Sequence, residues 1–471
     1  MCSSELTHPD GGAGQPPAID TALLARHDVR APRYTSYPTA PQFSDALGES
    51  AYRRAAQAYH QPGAPLSVYV HIPFCRTVCF YCGCNKVITA NYRRAGDYLD
   101  RLAHEMALQA PMFAARPVTQ LHFGGGTPTY LNEVDLRRVM ADLARHFQLV
   151  EAPSREYSIE IDPRTVDPDK VALLAALGFN RMSLGIQDFD PDVQVAVNRR
   201  QSLQQTAAVL DAARASGFRS SSVDLIYGLP RQTPDSFKRT LDAVIGLRPE
   251  RIAVYGYAHM PEMFKVQRQI PARSLPDAGT RLLLLQASIE RLCAAGYLYI
   301  GMDHFALPDD ALARARRDGS LQRNFQGYST HAQCDLLGLG VSAIGKVGAI
   351  YAQNARDLAQ YQRRLDEGRL AVVRGFALDA DDRVRGDVIQ ALMCQGQVSF
   401  DAIGARHDLR FADYFAAELQ RLQPLAADGL VVVGPDALEV TARGRLFLRN
   451  LAMVFDAYLA PQGSPGFSRA V

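Results

Sequence analysis

Four of the chain's eight cysteines, Cys75, Cys79, Cys82 and Cys84, fall within ten residues of HIPFCRTVCFYCGCNK, at the spacing C-x3-C-x2-C-x-C. Thiols this close together on one loop are metal ligands or disulfide partners, and a reducing compartment favours ligation. Structural zinc calls for two separated pairs that close a tetrahedron, yet no second Cys/His pair follows at finger spacing. Clustered thiolates suit an iron–sulfur cluster, whose irons take cysteine sulfur. The residues alone leave open whether all four cysteines or three of them take part. The other cysteines are scattered, and Cys293, Cys334 and Cys394 read as buried structural thiols.

A second group of residues suits a small organic ligand. Gly124, Gly125 and Gly126 in HFGGGTPTYL let the backbone approach a ligand closely. The loop lacks the Lys-Ser/Thr ending of a phosphate-binding loop. In SIEIDP, Glu160 and Asp162 alternate with Ile159 and Ile161, so both carboxylates share one face of a strand. Buried carboxylates need partners, either a structural salt bridge or the ammonium and hydroxyl groups of a ligand. Gln187, Arg199 and Asp224 form a similar trio further along. Arg26, Arg30 and Arg33 in RHDVRAPRYTSYP supply cations near the N-terminus.

Six short apolar stretches must position these residues: 67–73, 120–125, 156–162, 180–187, 220–228 and 251–258. Each reads as a buried parallel strand, and helix-length segments lie between them. Alternating strand and helix predicts an α/β fold with a parallel sheet. Six units are too few for a closed eight-stranded barrel, so a partial (β/α)6 barrel is the economical reading. Chemistry in such folds sits at the C-terminal ends of the strands, where the cysteine loop, GGGTP and DLIYGLP all begin. From about residue 380, amphipathic helices surround a short strand pair, LVVVGPDALEVT, which predicts a small winged-helix-like module. The division expected is a disordered tail over 1–25, a lid segment over 26–66, the barrel with its extension over 67–350, and a helical domain over 351–471.

With 47% apolar and 21% charged residues the composition is that of a globular protein. A formal net charge of +2 makes no case for nucleic acid or a membrane surface as partner. No apolar run approaches the length of a membrane span. The first twenty residues lack the basic start and apolar core of a secretory signal, so a cytoplasmic location is expected.

C-x3-C-x2-C followed by a Gly-rich loop resembles the radical S-adenosylmethionine (SAM) superfamily. Further motifs resemble one family within it, the oxygen-independent coproporphyrinogen III oxidases: RYTSYPTAPQF, LHFGGGTPTYL, SIEIDPR, SLGIQDFDPDVQVAVNR, VDLIYGLPRQT, IGMDHFA, RNFQGYST and DLLGLGVSAIG. They span roughly residues 30 to 460. The one departure inside a motif is Phe123, where relatives carry tryptophan.

The resemblance implies that Cys75, Cys79 and Cys82 hold a [4Fe–4S] cluster with one iron open for SAM, leaving Cys84 outside the ligand set. Reductive cleavage of SAM there gives a 5′-deoxyadenosyl radical. It implies coproporphyrinogen III as substrate, with two of its four propionates converted to vinyls to give protoporphyrinogen IX. It implies two SAM molecules. Tyr69, Gly125, Glu160 and Ile344 match contacts to the first, and Tyr69 joins the three cysteines in the catalytic set. Tyr81, Gly126, Thr127, Gln187, Arg199, Asp224 and Ala258 match contacts to the second. Phe325 and Gln326 match a loop near the second site. Arg33 is the expected propionate contact. An electron donor such as flavodoxin or ferredoxin, an electron acceptor and a monomeric state are expected as well. The competing expectation is the haem-binding chaperone of the same family. That relative lacks the counterparts of Cys84 and of the Phe325–Gln326 pair, which this chain has.

Overall fold

The computed structural model describes residues 20–59, 61–331, 334–459 and 467. Six strands, β1 (Leu66–Ile72), β2 (Pro117–Gly125), β3 (Glu156–Ile161), β4 (Arg181–Gln187), β5 (Ser220–Tyr227) and β6 (Arg251–Gly256), lie side by side in chain order, all parallel. They are the six expected strands, displaced by at most three residues at their ends. The connecting helices α1 (Arg93–Phe113), α2 (Glu133–His146), α3 (Pro168–Ala176), α4 (Leu203–Ala215) and α5 (Pro234–Leu247) supply the crossovers.

The strands carry their function in their alternation. On β3, β4 and β5 every second residue is buried: Tyr157, Ile159 and Ile161; Met182, Leu184 and Ile186; Val223 and Leu225. These side chains join the helices in one continuous core, each contributing about 1.5–3 kcal/mol by leaving water. The residues between them, Ser158 and Glu160, Ser183 and Gln187, and Asp224, are polar and half-buried. A sheet with an apolar outer face and a polar inner face can hold a polar ligand at its concave side.

The sheet extends further than the sequence reading allowed. A seventh parallel strand, β7 (Asp335–Leu339), pairs with β1 on the edge away from β2. Three antiparallel strands follow: β8 (Ile344–Val347), β9 (Ile350–Asn354) and β10 (Val372–Ala377). The other edge is covered by Leu298–Gly301 and His304–Ala306. Regular sheet therefore runs past residue 350, where the sequence reading divides the chain. Five-residue strands among glycine-containing turns leave too little periodicity to be read locally.

Beyond β10, α6 (Ala380–Gln395) and the helices Phe400–His407 and Ala416–Ala427 surround a three-stranded sheet of Gln397–Ser399, Val431–Val433 and Ala437–Val440. The helix α7 (Leu448–Met453) follows. The N-terminal segment crosses this module like a strap. The Asn450 amide and Arg449 Nε donate to the carbonyls of His27 and Pro32, both at 2.9 Å, and the Tyr34 hydroxyl donates to Asp456 at 3.0 Å. Residues 1–19 of the expected tail lie outside the described residues. Inside the same span, the short helix Thr21–Arg26 is capped by the Asp20 side chain and buries Leu23 and Leu24 against Leu430 and Phe447. The Leu-Leu pair gives this stretch an apolar anchor that its composition does not advertise.

Candidate active site

β1 ends at Ile72, and the cysteine loop starts two residues later. The glycine loop at the end of β2 is zipped to it. The Gly126 amide donates to Ile72 O and the Thr127 amide to Phe74 O, both at 2.9 Å. A Cβ on Gly126 would stand 2.5 Å from Pro73 O, so only glycine permits this approach. Gly125 has φ +117°, and a Cβ there would meet the His71 ring at 2.7 Å. The Thr127 hydroxyl lies 3.3 Å from Cys75 Sγ. Thr127 and Gly126 thus secure the cysteine loop itself.

Cationic groups surround the thiols. Arg199 Nη1 and Arg164 Nη2 lie 3.6 and 3.7 Å from Cys79 Sγ. Lys86 Nζ donates to the carbonyls of Cys82 at 3.2 Å and Cys84 at 3.4 Å. A hydrogen bond from Cys84 lowers the Cys82 thiol to about 6 against the opposing effect of burial, and Lys86 adds to it. Burial pushes Cys75 up to about 11. Among the described residues no three Cys, His, Asp or Glu side chains gather closely enough for a single metal ion. Three soft thiols on one loop, flanked by two guanidiniums and an ammonium, are a donor set that fits an anionic iron–sulfur cluster. Cys84 is exposed, Cys394 is buried, and Cys293 and Cys334 are half-buried.

Beside the cysteine loop, at the mouth of the barrel, lies a cavity of about 620 Å3. Tyr69, Gly125, Glu160 and Ile344 line it together, with Cys84, Arg33, Phe325 and Gln326. The family resemblance sets the Phe325–Gln326 pair near the second ligand group, whereas the fold places it with Tyr69, Gly125, Glu160 and Ile344. Asn85 O accepts from His71 Nε2 at 3.0 Å, which fixes the neutral tautomer with Nδ1 unprotonated. Nδ1 then accepts from the Tyr69 hydroxyl at 3.1 Å. Burial lowers His71 further, keeping it neutral. Tyr69 also stacks on His122, with ring centroids 5.8 Å apart. Glu160 accepts from the Gly125 amide at 3.2 Å and from His122 Nε2 at 3.4 Å. Its side chain keeps nearly half its surface exposed toward the cavity. Asp224, opposite Gly185 across β4 and β5, accepts from Ser183 at 3.0 Å. Burial, reinforced by Glu160, raises it to about 7.

Asp162 is held between two arginines. It forms a buried ion-pair network with Arg164, at 2.6 Å, and Arg199, at 3.2 Å. Burial raises its carboxyl, but the Arg164 hydrogen bonds and the Arg199 charge outweigh that and leave it below the usual range. Arg199 also donates to Gly185 O, and its Nε is buried without a partner. A Cβ on Gly185 would meet the Gln187 amide at 2.8 Å and Arg199 at 3.2 Å. Gln187, Arg199 and Gly185 are therefore neighbours. Tyr81 packs against the apolar cluster of Val193, Val197, Leu229 and Tyr257, and its phenol is raised by burial. Ala258, next to Tyr257, lines an adjoining cavity.

The sequence reading missed His71, His122 and Arg164 as site residues. Period two along β1 and β2 would have found the histidines, two residues from Tyr69 and from Gly124. Arg164 had no such signal, since it acts by reaching back to Asp162 and Cys79. Arg33 is held by Asp303 and lies over the Tyr255 ring, at 5.4 Å from its centroid.

The radical SAM superfamily matches this chain over residues 69–244, and the HemN C-terminal domain over 378–447. The chain is 50% identical over 453 residues to an oxygen-independent coproporphyrinogen III oxidase of Pseudomonas aeruginosa, covering 96% of this chain and 98% of the relative. It is 49% identical to the Escherichia coli protein of the same name, with the same coverage. The solved structure of the Escherichia coli coproporphyrinogen III oxidase, described as a radical SAM enzyme, superposes with a TM-score of 0.90 over 94% of this chain and 100% of that one. Fold, cysteine loop and full-length similarity agree, and the chain belongs to the oxygen-independent coproporphyrinogen III oxidase family of the radical SAM superfamily.

Proposed function

We propose that this chain converts two propionates of coproporphyrinogen III to vinyls, giving protoporphyrinogen IX without oxygen. The observation that carries this is the single cavity gathering Tyr69, Gly125, Glu160, Ile344 and the Phe325–Gln326 pair beside the cysteine loop. In each conversion the propionate loses a hydrogen atom from its β-carbon, carbon dioxide and one electron. The cluster and SAM, when bound, supply the 5′-deoxyadenosyl radical that takes the hydrogen atom.

The chain's own residues do the rest. Cys75, Cys79 and Cys82 hold the cluster, with Arg164, Arg199 and Lys86 offsetting its negative charge. Glu160 and the Gly125 backbone receive the first SAM, a net cation, with Tyr69 and Ile344 beside them. Gln187, Arg199 and Asp224 receive the second, with Tyr81, Gly126, Thr127 and Ala258 at its margins. The strap over residues 26–37, fastened to the C-terminal module, excludes water from a site where a carbon radical would attack competing C–H bonds. Arg33 and Phe325–Gln326 contact the substrate. A small acidic electron-transfer protein of the flavodoxin or ferredoxin kind reduces the cluster, and the enzyme acts as a cytoplasmic monomer. No helix among the described residues is long and apolar enough to cross a membrane.

The test is anaerobic reconstitution with iron and sulfide, then incubation with SAM, dithionite, an electron acceptor and coproporphyrinogen III. Protoporphyrinogen IX and 5′-deoxyadenosine should form together. A fully reconstituted protein that makes neither would refute the reading.

A further inference from the structure

A second cavity, of about 180 Å3, lies against the ends of β5 and β6, where Tyr227 and Gly256 line it. Five arginines surround it: Arg30 and Arg33 from the strap, Arg281 from Ala278–Ala294, and Arg445 and Arg449 from the C-terminal module. The one carboxylate in its wall is Asp303, already paired with Arg33. Arg281 and Arg445 are half-buried and make no ion pair or side-chain hydrogen bond among the described residues. The buried Arg449 donates to the carbonyls of Ala31 and Pro32, which sets Arg30 and Arg33 on either side of that anchor. Tyr227, Tyr257, Tyr299, Met260 and Leu285 supply an apolar wall. Arg33 lines both this cavity and the one at the barrel mouth.

Arg281 and Arg445 bring two guanidiniums without a carboxylate partner to a space whose lining carboxylate, Asp303, is already taken by Arg33, and an anion held there would offset them. Burial holds Arg33 and Arg445 below their ordinary values, and burial with the nearby Arg33 charge brings Arg449 down to about 9. SAM is the wrong occupant, because its ammonium and sulfonium outweigh its one carboxylate. A polycarboxylate is the right one, since guanidinium forks bind carboxylates bidentately.

We propose that this cavity is the anchoring subsite for the propionates that do not react, gripping them through Arg281 and Arg445 while the reacting propionate lies past Arg33 at the barrel mouth. The inference rests on the function proposed above. It adds that substrate position is set by charge at a distance from the cofactor, by residues from chain segments far apart in sequence.

The test is steady-state kinetics of the reconstituted enzyme carrying Arg281→Ala with Arg445→Ala. KM for coproporphyrinogen III should rise at least tenfold. Iron content and substrate-free SAM cleavage should stay at wild-type levels, and Arg281→Lys with Arg445→Lys should recover part of the loss. An unchanged KM in the alanine variant overturns the inference and leaves the proposed reaction standing, whereas a wild-type enzyme without product overturns the reaction itself. A second measurement needs no variant. Phenylglyoxal modification of Arg281 and Arg445, read by peptide mass, should be suppressed by coproporphyrin III and unaffected by SAM. Equal labelling with and without coproporphyrin III overturns the proposal.

Discussion

The two cavities meet at Arg33 and differ in charge. The barrel mouth sets one open carboxylate, Glu160, with Asp224 nearby, against Arg33 and Arg323, among histidine and tyrosine rings held by hydrogen bonds. The neighbouring cavity offers five arginines and one carboxylate. The mouth is contributed by strand ends, so its groups are fixed by sheet register. The arginine cavity is assembled from the strap, the helix Ala278–Ala294 and the C-terminal module, so its shape depends on elements that can be displaced without unfolding the barrel. A tetra-anionic substrate would find its complement in the arginine cavity, whereas the mouth holds out Glu160 to a net-cationic cofactor. Electrostatic sorting of this kind gives specificity before any chemistry begins.

Breaking the mouth at its metal loop should have the largest effect. Serine at Cys75, Cys79 or Cys82 should abolish turnover and cluster absorbance, because a hydroxyl is a poor ligand for iron in a cluster. Cys84→Ser should keep full iron content. Next comes the network beneath the mouth. Arg199→Met should cost about 3–5 kcal/mol in denaturant unfolding, since Asp162 is left buried with one partner fewer. Gly126→Ala should cost about 1–3 kcal/mol and weaken cluster retention, because its Cβ would collide with Pro73 O.

The smallest effect is a pH slope, and it separates a site carboxylate from a structural one. Asp224 and Glu105 are both raised to about 7, each chiefly by burial. Glu105 lies in the core, where it accepts from the Gly340 amide and Tyr361, each at 2.7 Å, and from Asn354 at 2.6 Å. A carboxyl raised in the folded state binds more protons there than when unfolded. It therefore lends stability below about pH 4 that is lost as pH rises toward 7. Asp224→Asn and Glu105→Gln should each flatten the fall in stability between pH 4 and 7. Added SAM should reduce the Asp224 contribution and leave that of Glu105 unchanged, as read by thermal unfolding across pH.

Much of the mouth was legible in the sequence because its residues sit at motif positions on regular strands. The cysteine cluster declares itself by spacing, with Cys75, Cys79 and Cys82 singled out from Cys84 by the family resemblance alone, and Glu160 by alternation with Ile159 and Ile161. Asp162 shows the limit of that argument. It shares the alternation but turns to Arg164 and Arg199, because its strand ends at Ile161 and the next turn redirects it. β7 was missed because five residues among turns carry little pattern. Arg281, Arg445 and Arg449 were invisible for a different reason: no local spacing marks residues that converge only after the chain folds. The placement of Ala258 in the wall of the arginine cavity is likewise a property of the fold alone.

The division of labour between the cavities is tested most directly by a crossed binding titration on the reconstituted protein. SAM and coproporphyrin III are each titrated into wild type, Glu160→Gln and the Arg281→Ala, Arg445→Ala double variant. Glu160→Gln should weaken SAM by about 10- to 100-fold, or about 1.4–2.8 kcal/mol, and leave coproporphyrin III unchanged. The arginine variant should do the reverse. Loss of both ligands to the same degree in either variant, with iron content intact, would contradict the account.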